Sequence, residues 1–419
     1  MQASSQVRKS TLRERQNYYI HACFIHNDFR ECMKTIENQL HLCNGQSEYP
    51  LYIKGLIMRQ QGRIEESLTI FQAALCLNPV NINNLKQVGQ SLYLLGKHRE
   101  ALNVFEEAEK LNSEDRMVWH SKGICYHYLK QYETAIECFE TANGIQKHER
   151  TFHELGEIYK ETGDLDSALS TYMDALDAFP ESSHFLTLAG LMHIKSNNPT
   201  DGFEHLGNSL SYDNKDPTAI LAAGSIIQAN GDYDVALTKY RVAMVATPHC
   251  AELWSNVGLC FFGKGKLISA VACLKRAIYL SPFDGRIDYN LGVVHLAMAQ
   301  YASAFHYFSA AINLQKVPNT NPTAEDARCY TYLGVALCRL DDYDNAYAAY
   351  DKSIELMKHD PISRLNYAIS LACNEENERA KEQLREYESI ISTTAGVQLK
   401  GDDKELDLQH EKLKMHLLS

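Results

Sequence analysis

One small residue recurs along this chain at almost constant spacing, and that recurrence limits the possible folds more than any other feature. Aligned on it, the chain reads Ile20, Gly55, Gly89, Gly123, Gly156, Gly190, Gly224, Gly258, Gly292, Gly334 and Ala368. The steps are 35, 34, 34, 33, 34, 34, 34, 34, 42 and 34 residues. Twelve residues after each of these stands a second small residue, as Ser67, Ala101, Ala135, Ala168, Ala236, Ala270 and Ala304. Four residues further on the side chain is bulky: Ile36, Phe71, Phe105, Phe139, Tyr172, Leu206, Tyr240, Leu274, Phe308, Tyr350 and Leu384. Three residues later small residues return, among them Ala74, Ala108, Ala142, Ala175 and Ala243. Spacings of three and four place such residues on one helical face. Small residues let two helices approach, and bulky ones fill the space between them.

A turn separates the first two rungs, as Gly62-Arg63, Gly96-Lys97, Gly163-Asp164, Gly231-Asp232 and Gly265-Lys266. Glycine just past a helix can adopt the left-handed conformation that ends it. Pro79, Pro180, Pro248 and Pro282 recur near the end of the second helix, where proline stops one helix and starts the next. Each period is therefore helix A, tight turn, helix B and short link. A single compact core seldom grows beyond about 250–300 residues, so a 419-residue chain needs several domains or a continuous array. A 34-residue helix–turn–helix period is that of the tetratricopeptide repeat, whose pairs bury their apolar faces by stacking. The fold predicted is an all-α, right-handed superhelical solenoid of about eleven tetratricopeptide (TPR) pairs.

The organisation predicted is a flexible basic arm over 1–15, a solenoid over 16–391, and a linker with a C-terminal capping helix over 392–419. The long step before Gly334 places an insertion loop near 315–324, with Pro318 and Pro322. The least regular turn is Asn197-Asn198-Pro199-Thr200-Asp201-Gly202.

Chemistry-bearing motifs are absorbed by the repeat. Gly258 to Gly265 (GLCFFGKG) approaches a phosphate-binding loop, but Gly265 stands where a Ser or Thr must reach magnesium, and Gly258 falls inside a helix. The pairs His21/His26, His120/His127 and His148/His153 lack the i, i+4 spacing of a helical zinc motif. The twelve cysteines form no Cys-x-x-Cys pair, and Cys32, Cys125, Cys138, Cys260 and Cys273 take core-compatible positions. Carboxylate pairs such as Glu65/Glu66 and Glu106/Glu107 fit helix starts and solvated faces. No nucleophile elbow is present. The expectation is a protein with no catalytic residues, cofactor or metal. A net charge of −12 disfavours nucleic acid as a partner. No apolar run approaches the ~20 residues that cross a bilayer. The polar N-terminus has no signal-peptide core, and the scattered cysteines fit a reducing compartment.

In a TPR stack, helix A residues six and three before the glycine, and one, four and five after it, line the inner groove. In three consecutive pairs these are Leu221, Ser225 and Gln228, then Leu259 and Phe262, then Arg286, Tyr289, Val293 and Leu296. Apolar surface on this scale marks a binding site, so a helical or extended partner segment is expected along this run; the alternative is that the superhelix curls enough to pack these residues against its own turns. Nearer the N-terminus the same positions are polar: Asn83, Lys86 and Gln90; His120 and His127; Arg150, His153, Glu157 and Lys160. Co-chaperones of this fold bind C-terminal carboxylates through a lysine–asparagine clamp. Lys86 takes a clamp position, but Gln90 and Ser121 replace the asparagines. A free-standing co-chaperone or peptide-binding adaptor is therefore the second reading.

Three stretches go beyond a generic repeat: Ala219 to Val242, Leu253 to Asp284, and Tyr289 to Leu314; Asn84 to Asn112 fits with them. They resemble the family of the fourth Bardet–Biedl syndrome protein, the tetratricopeptide subunits of the BBSome, over roughly residues 16–391. The resemblance implies a scaffold subunit of a coat-like complex that moves membrane proteins to and from cilia. Implied partners are the other Bardet–Biedl complex subunits, a pericentriolar scaffold protein and the dynein–dynactin motor, with membrane contact only indirect, through the complex. The implied location is cytoplasm and cytoskeleton, at the centrosome, centriolar satellites, basal body and cilium.

Overall fold

A computed structural model describes residues 16–315, 324–392 and 404–418. The predicted arm over 1–15, the loop residues 316–323 and the linker 393–403 lie outside the described residues. Every regular element among those described is an α-helix. The chain divides into two compact bodies, Met1–Tyr212 and Asp213–Ser419.

In the N-terminal body the helix pairs are α1 (16–25) with α2 (Phe29–Leu42), α3 (Glu48–Gln60) with α4 (Ile64–Leu77), and α5 (Ile82–Leu94) with α6 (His98–Leu111). They continue as α7 (Arg116–Tyr128) with α8 (Tyr132–Ile145), α9 (Glu149–Thr162) with α10 (Leu165–Ala178), and α11 (Ser183–Lys195) with α12 (Pro199–Tyr212). The C-terminal body holds α13 (Pro217–Ala229) with α14 (Tyr233–Ala246), α15 (Ala251–Gly263) with α16 (Leu267–Leu280), and α17 (Gly285–Ala297) with α18 (Tyr301–Gln315). It ends with α19 (Ala324–Cys338) and α20 (Tyr343–Leu356), α21 (Pro361–Cys373) and α22 (Asn377–Ile391), and a last helix, α23 (Lys404–Leu418).

The glycine ladder has one physical cause, repeated in nine pairs. Each rung glycine lies against the bulky residue sixteen positions later. A Cβ on Gly55 would stand 2.7 Å from the Phe71 ring, on Gly89 2.6 Å from Phe105, and on Gly156 2.3 Å from Tyr172. The same holds at Gly258, 2.8 Å from Leu274 Cγ. These bulky residues are almost wholly buried, so the helices of a pair meet at a distance that only a missing side chain allows. The last pair shows the alternative, with Ala368 and Leu384 both buried in one cluster.

Several helix A starts are capped by short polar side chains. Asn81 accepts from the Asn83 amide, Asp115 from Met117, Asp216 from Thr218 and Asp284 from Arg286, each satisfying an amide the helix leaves open. At the A–B turn, an amide bonds a carbonyl five residues back, as in Lys97 N to Leu92 O (3.0 Å) and Lys266 N to Phe261 O (2.9 Å). The preceding residue is left-handed. It is glycine at 62, 96, 163, 231 and 265, but Lys130, Asn197, Ala299, Asp341 and Glu375 take the same conformation with φ of 57–60°. The irregular turn at Asn197 thus keeps the geometry of its neighbours. Asn198 donates to Asp201 (2.6 Å) and Pro199 opens α12.

α23 buries Leu413 in the cluster formed by α19 to α22 and sets His410 edge-on against Tyr387, 5.0 Å between centroids. Glu388 accepts from Lys414 (2.6 Å) and pairs with His410 (3.2 Å).

Candidate partner-binding surfaces

The apolar run falls on three A helices of the C-terminal body, α13, α15 and α17. Ser225 and Arg286 are exposed, while Leu221, Gln228, Leu259, Phe262, Tyr289, Val293 and Leu296 are half-buried. The following pair covers part of Phe262, Tyr289, Val293 and Leu296. Phe262 leans on the cluster of Leu274, Ile287, Leu291 and Val294. Tyr289, Val293 and Leu296 pack with Tyr332 and Leu333 against Phe308 and Ala336. Tyr289 meets Tyr332 edge-on at 6.0 Å. Gln228 is fixed from below, its Oε1 accepting from the Tyr240 hydroxyl at 3.3 Å. Arg286 forks onto Asp284, with Nε and Nη2 each 3.0 Å from a carboxylate oxygen.

The polar stretch of the N-terminal body forms a cleft of about 170 Å³ over α5, α7 and α9, with Lys86, Gln90, Tyr93, His120, Ser121 and Arg150 in its walls. The Lys86 ammonium is engaged by Asp115 at 2.8 Å. His120 is 4% exposed. Its Nδ1 lies 3.2 Å from the Thr151 hydroxyl, and its Nε2 has no hydrogen-bond partner. Burial, helped by the charges of Arg150, Arg116 and His148, pushes the imidazole down to about 4. It is therefore neutral near pH 7. His127 pairs with Glu161 at 3.0 Å, and Lys160 donates to Glu157 at 2.6 Å while His153 stacks on His184.

Gly258 and Gly263 lie within α15, and Gly265 is its left-handed exit, so this stretch is a helix A and its turn. Cys32, Cys125, Cys138 and Cys260 are buried. Burial raises their thiols to about 11, 12, 11 and 11 respectively, which keeps them protonated and poor nucleophiles. Among the described residues no group of three or more His, Cys, Asp or Glu side chains could hold a metal ion, and no helix is long and apolar enough to cross a membrane.

Two features escaped sequence reasoning. Lys122, 7% exposed, donates to Glu109 at 2.6 Å and lies 4.7 Å from the Trp119 ring centre. Burial is the largest single influence and works against its charge, but the Glu109 bond and the charge of Glu109, with Cys138 and Tyr126, together outweigh it and raise its pKa. The stacked His193 and His205, 5.2 Å apart, are twelve residues distant in sequence. Neither pairing has a local spacing signature that would reveal it.

Family models match in three places: "Anaphase-promoting complex, cyclosome, subunit 3" over residues 60–142, and "Tetratricopeptide repeat" over 149–182 and 221–285. Among solved structures, "Crystal structure of APC/C hetero-tetramer Cut9-Hcn1" has a TM-score of 0.51 at 13% identity, covering 94% of this chain and 95% of that one. Together with the helix pairs, this gives an all-α TPR solenoid. The chain is 45% identical over 379 residues to "BBSome complex member BBS4" of Bos taurus, covering 90% of this chain and 72% of that protein. It is 44% identical to the same-named protein of Mus musculus, covering 90% and 71%. It is 33% identical to the "BBSome complex member BBS4 homolog" of Drosophila melanogaster, covering 84% and 75%. With identity of this degree running through both bodies, the chain belongs to the BBS4 family of BBSome complex members.

Proposed function

We propose that this chain is a non-enzymatic scaffold subunit of a BBSome-type complex, one that carries membrane proteins to and from cilia. The observation that carries the reading is the 45% identity to a BBSome member over 90% of the chain, joined to a fold whose surfaces are built for holding other chains. Its partners are the other Bardet–Biedl complex subunits, with a pericentriolar scaffold protein and dynein–dynactin as transport contacts. Its place is the cytoplasm and cytoskeleton, at centriolar satellites, basal body and cilium. The predicted solenoid over 16–391 with its capping helix is the framework of that role.

In this reading the run Leu221, Gln228, Leu259, Phe262, Arg286, Tyr289, Val293 and Leu296 takes a partner segment. Truncating a well-packed aromatic anchor at an interface typically costs above ~1 kcal/mol. Phe262→Ala and Tyr289→Ala are therefore each expected to weaken the partner by about fivefold or more. Native pull-down of the tagged chain with quantitative mass spectrometry checks this. Full recovery of every subunit with both variants, folded as wild type, would remove this run from the account. The co-chaperone reading is weaker, because the ammonium a carboxylate clamp needs is already held by Asp115.

A further inference from the structure

α16 carries large apolar side chains on its inner and its outer face. Its inner face buries Ala270, Leu274 and Ala277. Its outer face carries Ile268 (80% exposed), Ala272 and Tyr279 (77% exposed), and Phe283 (85% exposed) follows in the link. Residues 268, 272, 275, 276 and 279 recur at spacings of three and four and form one stripe. An exposed stripe that joins aromatic and aliphatic side chains to an arginine has the composition of an interface core. In the preceding pair α14 exposes Val235, Val242 and Val245.

The charge on this surface is opposite to that of the chain. The exposed charged side chains of α8 are Glu133, Glu137 and Glu140, and those of α10 are Asp166, Asp174 and Asp177. α16 has no carboxylate, and its exposed charges are Lys275 and Arg276. α14 exposes Lys239 and Arg241, and its one acid, Asp234, is bonded to Lys264.

Arg276 is pre-positioned. Its guanidinium lies 6.0 Å from the Trp254 ring centre and 5.6 Å from that of Tyr279. Trp254 is itself fixed, its Nε1 donating to the Pro248 carbonyl at 3.0 Å. An arginine braced by two aromatic rings keeps its N–H fork free for a planar carboxylate. Trp, Tyr and Arg are also the residue types that dominate binding energy at interfaces.

We propose that the outer face of α16, with Phe283, is a docking surface for a different protein presenting carboxylates among apolar side chains, with Arg276 as its anchor. A lipid surface fits less well. Membrane-lying helices keep their basic residues on the polar face, away from the apolar stripe. Here Lys275 and Arg276 sit inside the stripe, between Ile268 and Tyr279. A protein can place a carboxylate opposite them, whereas the acyl region of a bilayer cannot.

The surface is tested in the complex purified natively with the tagged full-length chain. A water-soluble carbodiimide activates a carboxylate as its O-acylisourea, and an amine in contact with it displaces that group, forming an amide while the carbodiimide leaves as its urea. The expected product joins Lys275 to an Asp or Glu of a different polypeptide. Arg276→Glu is expected to lower recovery of that polypeptide by roughly tenfold or more, and reversing the joined carboxylate to Lys should restore it. Both positions are exposed, so melting should be unchanged. If Arg276→Glu lowers the melting temperature, Phe283→Ser in the link replaces it as the deciding variant. The proposal is overturned if Lys275 stays uncoupled in the intact complex, if it joins only a second copy of this chain, or if recovery is unchanged. It is also overturned if these variants instead abolish binding to phosphatidylserine–phosphatidylcholine vesicles and leave the protein partners in place.

Discussion

Phe105→Ala should remove about 3–5 kcal/mol from the third helix pair, the usual loss when a buried aromatic is truncated in a packed core. Phe105 is 1% exposed and touches the position where Gly89 lacks a side chain. Gly89→Ala should cost about 1–3 kcal/mol for the opposite reason, because its new methyl would lie 2.6 Å from the ring. The two sites share one space, so they should not behave additively. The last pair already contains the combination that fits, Ala368 with Leu384. Gly89→Ala with Phe105→Leu imitates it and should be milder than the sum of its parts by roughly 1 kcal/mol. In a stacked array each pair contacts only its neighbours. Hydrogen exchange should therefore accelerate in α5 and α6 and in the helices packed on them. Unchanged exchange there, or strict additivity, would mean that the glycine and the ring do not compete for the same volume.

His120→Asn should flatten the acid limb of the stability curve. His120 is buried and neutral, and in the folded chain its imidazole is pushed down to about 4 from 6.5. Between those two pH values the unfolded chain binds the proton and the folded chain does not. Stability is then fully present above about pH 6.5, falls as pH drops, and levels off below about 4. A shift of this size corresponds to about 3 kcal/mol over the window. His148 and His205 are also lowered, each first by burial. They act in the same direction and remain in the variant, so the difference between the two pH profiles isolates His120. Equal slopes for wild type and variant between pH 4 and 6.5 would show that the ring is not held neutral by its surroundings.

The ladder was legible because its cause is local to a pair. A missing Cβ at one position and a ring sixteen residues later are fixed by helix geometry, so they recur in register. The turns were only partly legible. Gly62 and Gly265 announce a left-handed residue, but Lys130 and Ala299 do not. There the packed helices on either side and the bond across the turn impose the conformation against local preference. The candidate site was legible in direction and not in depth. The register points Tyr289 and Leu296 toward the groove, yet their burial depends on Phe308 and Tyr332, which belong to other helices. The outer stripe of α16 has the same three-and-four spacing as the buried stripe beside it, and periodicity alone does not say which of them faces solvent. The lining of the polar cleft was legible in the same register, but not that the charge of Lys86 is balanced by Asp115, 29 residues away.

The central claim is that this chain works as one part of an assembly. Mass photometry with native mass spectrometry, on the chain purified at its natural abundance under gentle conditions, tests it most directly. The account predicts a particle several times the mass of one chain, containing this chain in fixed ratio with other BBSome-type polypeptides. A folded monomer that carries no other polypeptide would contradict it.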